Sequence, residues 1–487
     1  MLTSRADALN QSYETPLMER GRLSLSFSRE KLASESAVHR ISLLRRTACL
    51  LILAELAFVG GAAARPQEPE KPLHDWATAN DLWLQAQITP NDLVPAPEPS
   101  RRGLLLSYAL PREKFPQIFH RSAIYDDALA ALAFLTAGDR ERAASTLDAL
   151  ARLVRPDGSL WFSYNTGDDW PSEDDHESSL VRTGAVAWVG YAFTFYLKHA
   201  PPCAADPGCA RERAFFSATA VRLAKYLLTL QVNGKSDPRD GLLRLGYGTI
   251  NLAYSAKAKD IVELYVDQPA TGISTENNIS AWFFLRQLAE VTGDAGWSRV
   301  ADRIQLGLLN HLWNDALGQF NEGFGSSGSL DSIKALDCAS WGALFLLATG
   351  ERDKARRALE VTHKYYATQE GDAIGYRPYS DSPVYENPEV GSFFFPDDPR
   401  KQWRSLPIVW SEGTLGVALA WLHLGQAERA RQLVMGLRPL SENAGLRCAT
   451  LELPFQMADV PCVAASAWFV LVAAALSHNN LAEAMWK

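Results

Sequence analysis

Four times this chain repeats one short device: an apolar helix, a tight connector holding a glycine, and then a charged amphipathic helix. Ala123–Leu135 leads through Thr136-Ala-Gly-Asp139 to a helix ending near Val154. Trp282–Val291 leads through Thr292-Gly-Asp294 to Gly296–Leu312, and Cys338–Ala348 through Thr349-Gly-Glu351 to a helix ending near Tyr366. Leu415–Leu424 leads through Gly425-Gln426 to a helix ending near Leu437. Glycine just past a helix end, with Asp, Glu or Gln opening the next, is the chemistry of a tight helical turn. Two more pairs lack the connector: Arg182–His199 with Arg211–Leu230, and Cys462–Ser477 with Leu481–Trp486.

The first helices begin near 123, 182, 277, 338, 413 and 462, at intervals too uneven for a repeat array. In each pair the first helix is apolar on all sides and therefore buried, while the second carries a charged face for water. Six buried and six exposed helices joined by short turns predict an all-α fold, an (α/α)6 toroid of six helical hairpins. The long connectors 154–181, 231–276, 315–336, 368–411 and 438–461 all enter buried helices at their N-termini. They must share one face, and long loops gathered on a rigid scaffold are where function sits.

With 487 residues, a hydrophobic share of 47% and a charged share of 21%, the chain can bury a large core. Its 14 Trp and 15 Tyr suit sugar rings as well as a thick core. A net charge of −8 without a basic run argues against a nucleic-acid partner. Residues 1–40 read as a disordered leader, and 41–64 as a signal peptide. Basic Arg40, Arg45 and Arg46 precede an apolar run from Ala48 to Val59, and Ala62-Ala-Ala64 offers a cleavage site. Retention of residues 48–64 as a membrane anchor is the other reading. Removing 1–64 takes the net charge from −8 to −10, and the expected location is periplasmic or secreted. Residues 65–120 form an approach segment packing on the toroid, and 121–487 are the toroid itself.

In that compartment Cys203 and Cys209 can pair across a polar loop, and Cys448 with Cys462 can form a second bridge. Cys338 reads as a buried thiol. No zinc-ligand spacing, phosphate loop, dinucleotide fingerprint or nucleophile elbow appears in a fitting context, so no metal and no cofactor is expected. Six acids between Asp168 and Glu177 read as a solvated loop, because the calcium-loop order is absent.

The chemistry-bearing residues stand where buried helices begin. Ser274-Thr-Glu276-Asn-Asn278, Leu336-Asp337, Trp410-Ser-Glu412-Gly-Thr414 and Tyr125-Asp-Asp127 each put an acid in a first turn. One such acid is adequately explained as a helix cap favoured by the dipole. Several around one ring, near Trp282, Trp341 and Trp410, describe a carboxylate-lined, partly aromatic site.

On these hairpins and mouths, over about 120–487, the chain resembles the six-hairpin glycosidase superfamily. The resemblance implies carbohydrate chemistry, usually inverting hydrolysis, on an oligo- or polysaccharide. The candidate catalytic residues are then Glu276 and Glu412, with Asp337 and one of Asp126 and Asp127. Tyr125, Trp161, Tyr164, Trp170, Arg182, Asn277, Trp282, Trp341 and Trp410 are candidates for the sugar contacts. A polysaccharide lyase on the same scaffold, hinted at only by Tyr125 and Arg182, and a non-catalytic glycan-binding protein are the alternatives.

Overall fold

The computed structural model describes residues 71–116, 118–168, 180–201, 203 and 206–487. The leader, the signal or anchor segment, Trp170 and most of the acidic loop lie outside the described residues. The ring is built of five helical hairpins and a sixth inner helix. The inner members are α2 (Ile124–Ala137), α4 (Thr183–His199), α6 (Thr275–Thr292), α8 (Leu336–Ala348), α11 (Ser411–His423) and α13 (Val463–Leu476). Each packs on the next, and α13 packs back on α2, so the ring is closed.

The outer members are α3 (Arg140–Leu153), α5 (Pro207–Thr229), α7 (Ala295–Gly307), α9 (Arg352–Tyr366) and α12 (Ala427–Gly436). The sixth outer place departs from the sequence expectation. The segment after α13 supplies only one turn, α14 (Asn480–Glu483), and the N-terminal helix α1 (Lys71–Gln87) packs along α13 instead. Trp76 of α1 lies 3.9 Å, centroid to centroid, from Phe469 of α13.

The segment beyond α14 turns inward. Trp486 is 1% exposed and stacks on Phe283 at 4.6 Å and on Trp188 at 4.7 Å. Its backbone N–H donates to the Tyr191 hydroxyl at 2.9 Å. With Trp341 and Trp468 these rings fill the axis of the barrel. The interior is a packed aromatic column, and only its upper end is left for chemistry.

Three elements on the long-loop face shape that upper end. Strand β1 (Val181–Arg182) pairs with β2 (Gly246–Ser255), and β2 pairs with β3 (Asp260–Ala270), making a long two-stranded arm. A short helix, α10 (Pro388–Phe394), belongs to the connector entering α11. Around it Val384, Tyr385, Val390, Trp403 and Ile408 form a second, smaller hydrophobic cluster with Leu453 and with Ile261 of the arm. No helix among the described residues is long and apolar enough to cross a membrane.

Of the cysteines, Cys203 and Cys209 are joined, with Cα atoms 5.5 Å apart. The second expected bridge is absent: Cys448 and Cys462 are neighbouring free thiols, and the Cys462 sulfur accepts the Ala465 N–H at the mouth of α13 instead. Cys338 is free and buried, as expected.

Candidate active site

The six inner helices are in register at their mouths. The second residues of α2, α4, α6, α8, α11 and α13 are Tyr125, Gly184, Glu276, Asp337, Glu412 and Ala464. Three consecutive hairpins thus supply an acid, the first supplies a phenol, and the other two supply almost no side chain. None of the three acids is spent on capping. The cap of α6 is Ser274, whose hydroxyl accepts from the Asn277 N–H, and neither α8 nor α11 has a side-chain cap.

A cavity of about 140 Å³ opens at two of these acids, Glu276 and Asp337. Glu322, Tyr379, Trp410 and Met457 line it with them. Glu322 escaped the sequence reading because it stands in a loop and not at a helix mouth. Residues 273–274 pair with 323–324, and the Thr275 N–H donates to the Glu322 carbonyl at 2.9 Å, which sets Glu322 beside Glu276. Gly323 permits this, since a Cβ there would come within 1.8 Å of the Ile273 carbonyl oxygen. The one sequence signal was an acid between Asn321 and Gly323, and that carries no periodicity.

Glu412 lies next to this group and is held from behind. The Trp468 indole N–H donates to the Tyr125 oxygen at 2.9 Å, and the Tyr125 hydroxyl donates to Glu412 Oε1. Glu276 has no such donor, and Asp337 Oδ1 is buried without a hydrogen-bond partner. Burial raises every acid here. Glu276 is pushed up to about 7 and Glu322 to about 8, with the charge of Glu276 adding to the latter. Asp337 is driven well above the carboxylate range by burial and then by Glu276, Glu412 and Glu322. Burial carries Glu412 to about 8 against the opposing Tyr125 bond. So close a set of carboxyls cannot all ionise together, and the group keeps protons at neutral pH.

The other candidates are placed as follows. Asp126 is 4% exposed, bonded to Ser107, and raised to about 7 by burial. Asp127 is fully buried and accepts from the Leu105 N–H and the Ser122 hydroxyl, both at 2.8 Å, so it ties the approach segment to α2. Asn277 Oδ1 accepts the Gly184 N–H at 2.6 Å, joining the mouths of α4 and α6. Arg182 donates to the carbonyls of Val181, Tyr247 and Gly248, bracing the base of the arm. Trp161 lies under the Arg155 guanidinium at 4.0 Å and Tyr164 accepts the Trp161 N–H at 3.0 Å.

Of the three tryptophans only Trp410 lines the cavity. Trp341 stands four residues past Asp337 and Trp282 six past Glu276, so at ~1.5 Å per residue they lie roughly 6–9 Å deeper, in the aromatic column. Trp341 is 2% exposed against Trp188, and Trp282 meets the edge of Phe345 at 5.1 Å. A larger depression of about 420 Å³, bordered by Lys235, Arg303 and His311, holds none of these residues. Its Arg303 is already engaged by Asp240 at 3.1 Å.

No model of a known family matches the sequence, and no curated protein matches it. Solved structures do. A D-mannose isomerase superposes with a TM-score of 0.56 at 10% identity, over 85% of this chain and 100% of that one. A glycosidase solved with glucose gives 0.54 at 11% identity, over 85% and 99%. A GH63 mannosylglycerate hydrolase from Thermus thermophilus, in complex with glucose, gives 0.52 at 16% identity, over 82% and 99%. Hydrolases and an isomerase share this scaffold, so activity must be argued from the site. The likeness shows the architecture: this chain has the (α/α)6 double ring that these proteins share.

Proposed function

We propose that the chain is an exported, inverting glycoside hydrolase acting on a neutral oligo- or polysaccharide. The observation that carries this reading is the shared helix register that sets Glu276 and Asp337 in one partly apolar cavity and places Glu412 beside them at the matching position of the next inner helix. Inverting hydrolysis needs a protonated carboxyl at the leaving oxygen and an ionised one that activates water from the opposite face. Glu276 is the acid: burial alone acts on it, and a carboxyl held up to about 7 keeps its proton near neutrality. Glu412 is the base, because the Tyr125 hydroxyl orients it and favours its charge.

The net shifts order the pair the other way, Glu412 at about 8 with the Tyr125 bond already opposing burial, against about 7 for Glu276. The assignment rests on orientation instead, since the Tyr125 donor fixes the carboxyl of Glu412 only. In the step, water oxygen bonds the anomeric carbon as Glu412 takes its proton. The glycosidic C–O bond breaks, and its oxygen leaves with the proton from Glu276. Asp337, kept protonated, donates to a ring hydroxyl.

No basic side chain lines the cavity among the described residues, and Arg182 is bound to backbone carbonyls. A uronate would lack its counter-charge there, which favours the hydrolase over the lyase. The test incubates the full-length chain with gluco-, manno- and galacto-oligosaccharides, with mannosylglycerate and with free mannose. Reducing ends, with the inverted anomer first in NMR, are the expected result. Interconversion of free mannose without any release of sugar would replace the hydrolase by an isomerase. Export is tested by the N-terminal residue of protein recovered outside the cytoplasm, expected near Arg65; cytosolic protein with an intact leader would refute it.

A further inference from the structure

The arm and the smaller cluster bear on which bonds can reach the acids. Tyr379 and Met457 face the cavity on one side and pack against the Trp403 cluster on the other, so that cluster is the roof of the site. The arm springs from the opposite part of the rim, where β3 runs through Ile273 directly into α6 and Glu276. Its ten-residue strand β2 spans about 34 Å at ~3.4 Å per residue. Inner helices ~8–10 Å apart make a hexagon only about 16–20 Å across, so the arm is long enough to cross it.

The far end is docked. Ile261, next to the tip pair Ser255–Asp260, is 1% exposed within the roof cluster. Asn387 Nδ2 donates to the Leu252 carbonyl at 3.0 Å, and the Tyr254 ring meets Phe393 at 6.0 Å. A beam therefore runs from the mouth of α6 to the segments entering α11 and α13. The acid-lined cavity, walled on the roof side by Tyr379 and Met457, holds about 140 Å³, well under the ~300–1,000 Å³ of clefts that take larger ligands.

We infer that the docked arm and roof make the acid-lined cavity a dead-end pocket for one terminal sugar ring, so that hydrolysis frees single sugars from chain ends and spares internal bonds. This rests on the hydrolase reading. The experiment follows products from reducing-end-labelled gluco- and manno-oligosaccharides of two to six units with the full-length chain. From substrates of four to six units, monosaccharide together with a remainder one unit shorter, and nothing of intermediate length, is the expected result at the first time points; fragments of intermediate length among the first products overturn it.

Binding of the same oligosaccharides gives a readout that does not need turnover. Affinity that stops rising beyond two rings supports the pocket, and affinity still rising at four rings overturns it even if nothing is hydrolysed. Failure of hydrolysis and failure of the pocket are thus told apart. Ile261→Asp should undock the arm, and a variant with Thr249 and Val266 joined by Asn-Gly removes its outer part. Both should lose the exclusive release of monosaccharide, and an unchanged product pattern in either would overturn the role given to the arm.

Discussion

Glu276 and Glu412 hold the same place in their helices but different company, and the difference makes them separable by substitution. Removing a general acid or base costs roughly 10²–10⁴ in rate, so Glu276→Gln and Glu412→Gln should each lose that much kcat on whichever glycoside is turned over. Both acids sit above their ordinary value of 4.5, so the fold favours their protonated forms. The stability they bring is whole below that value and is lost as pH rises through about 7 to 8. Thermal melts should therefore fall between pH 5 and 8 in the parent chain and less so in Glu276→Gln. The gap should be of order 1–3 kcal/mol at pH 8 and close at pH 5. Tyr125→Phe takes the donor from Glu412 and leaves the Trp468 N–H without an acceptor. The limb of the pH–rate profile that belongs to the base should move upward, with about 1–3 kcal/mol of stability lost. Asp127→Ala makes the contrast: it should destabilise by a similar amount and leave the profile where it was.

At the scale of elements, the helices were legible in the sequence because burial leaves a plain mark. Apolar runs such as Trp341-Gly-Ala-Leu-Phe-Leu-Leu347 admit only an inner helix, and each glycine connector fixed its partner. The observed starts at Ile124, Thr183, Thr275, Leu336, Ser411 and Val463 follow from that. Glu322 was not legible, since its place beside Glu276 is set by the pairing of two short strands about fifty residues apart. Nor was the depth of Trp282 and Trp341, which depends on where each helix begins relative to its acid. Close helix approach was equally hidden. A Cβ on Gly184 would fall 1.9 Å from Asn277 Oδ1, at the joint between α4 and α6. Gly184→Ala should cost about 1–3 kcal/mol by overpacking, read as a lower Tm, and should lower activity by parting the mouths that carry Glu276.

For the molecule as a whole, the ring is sealed by parts far apart in the chain. Trp486 closes the axis from below, and Trp486→Ala should cost about 3–5 kcal/mol in unfolding measurements. The outer ring is completed only when α1, ending at Gln87, meets α13, ending at Leu476. This seam has a consequence for synthesis. At ~5–20 residues per second, a nascent α1 waits roughly 20–80 s for its partner to be made. Hairpins can form one by one as they leave the ribosome, but through that interval Trp76 lacks its ring partner Phe469. The protein is thus born as an open crescent that must be kept from other chains until its two horns meet.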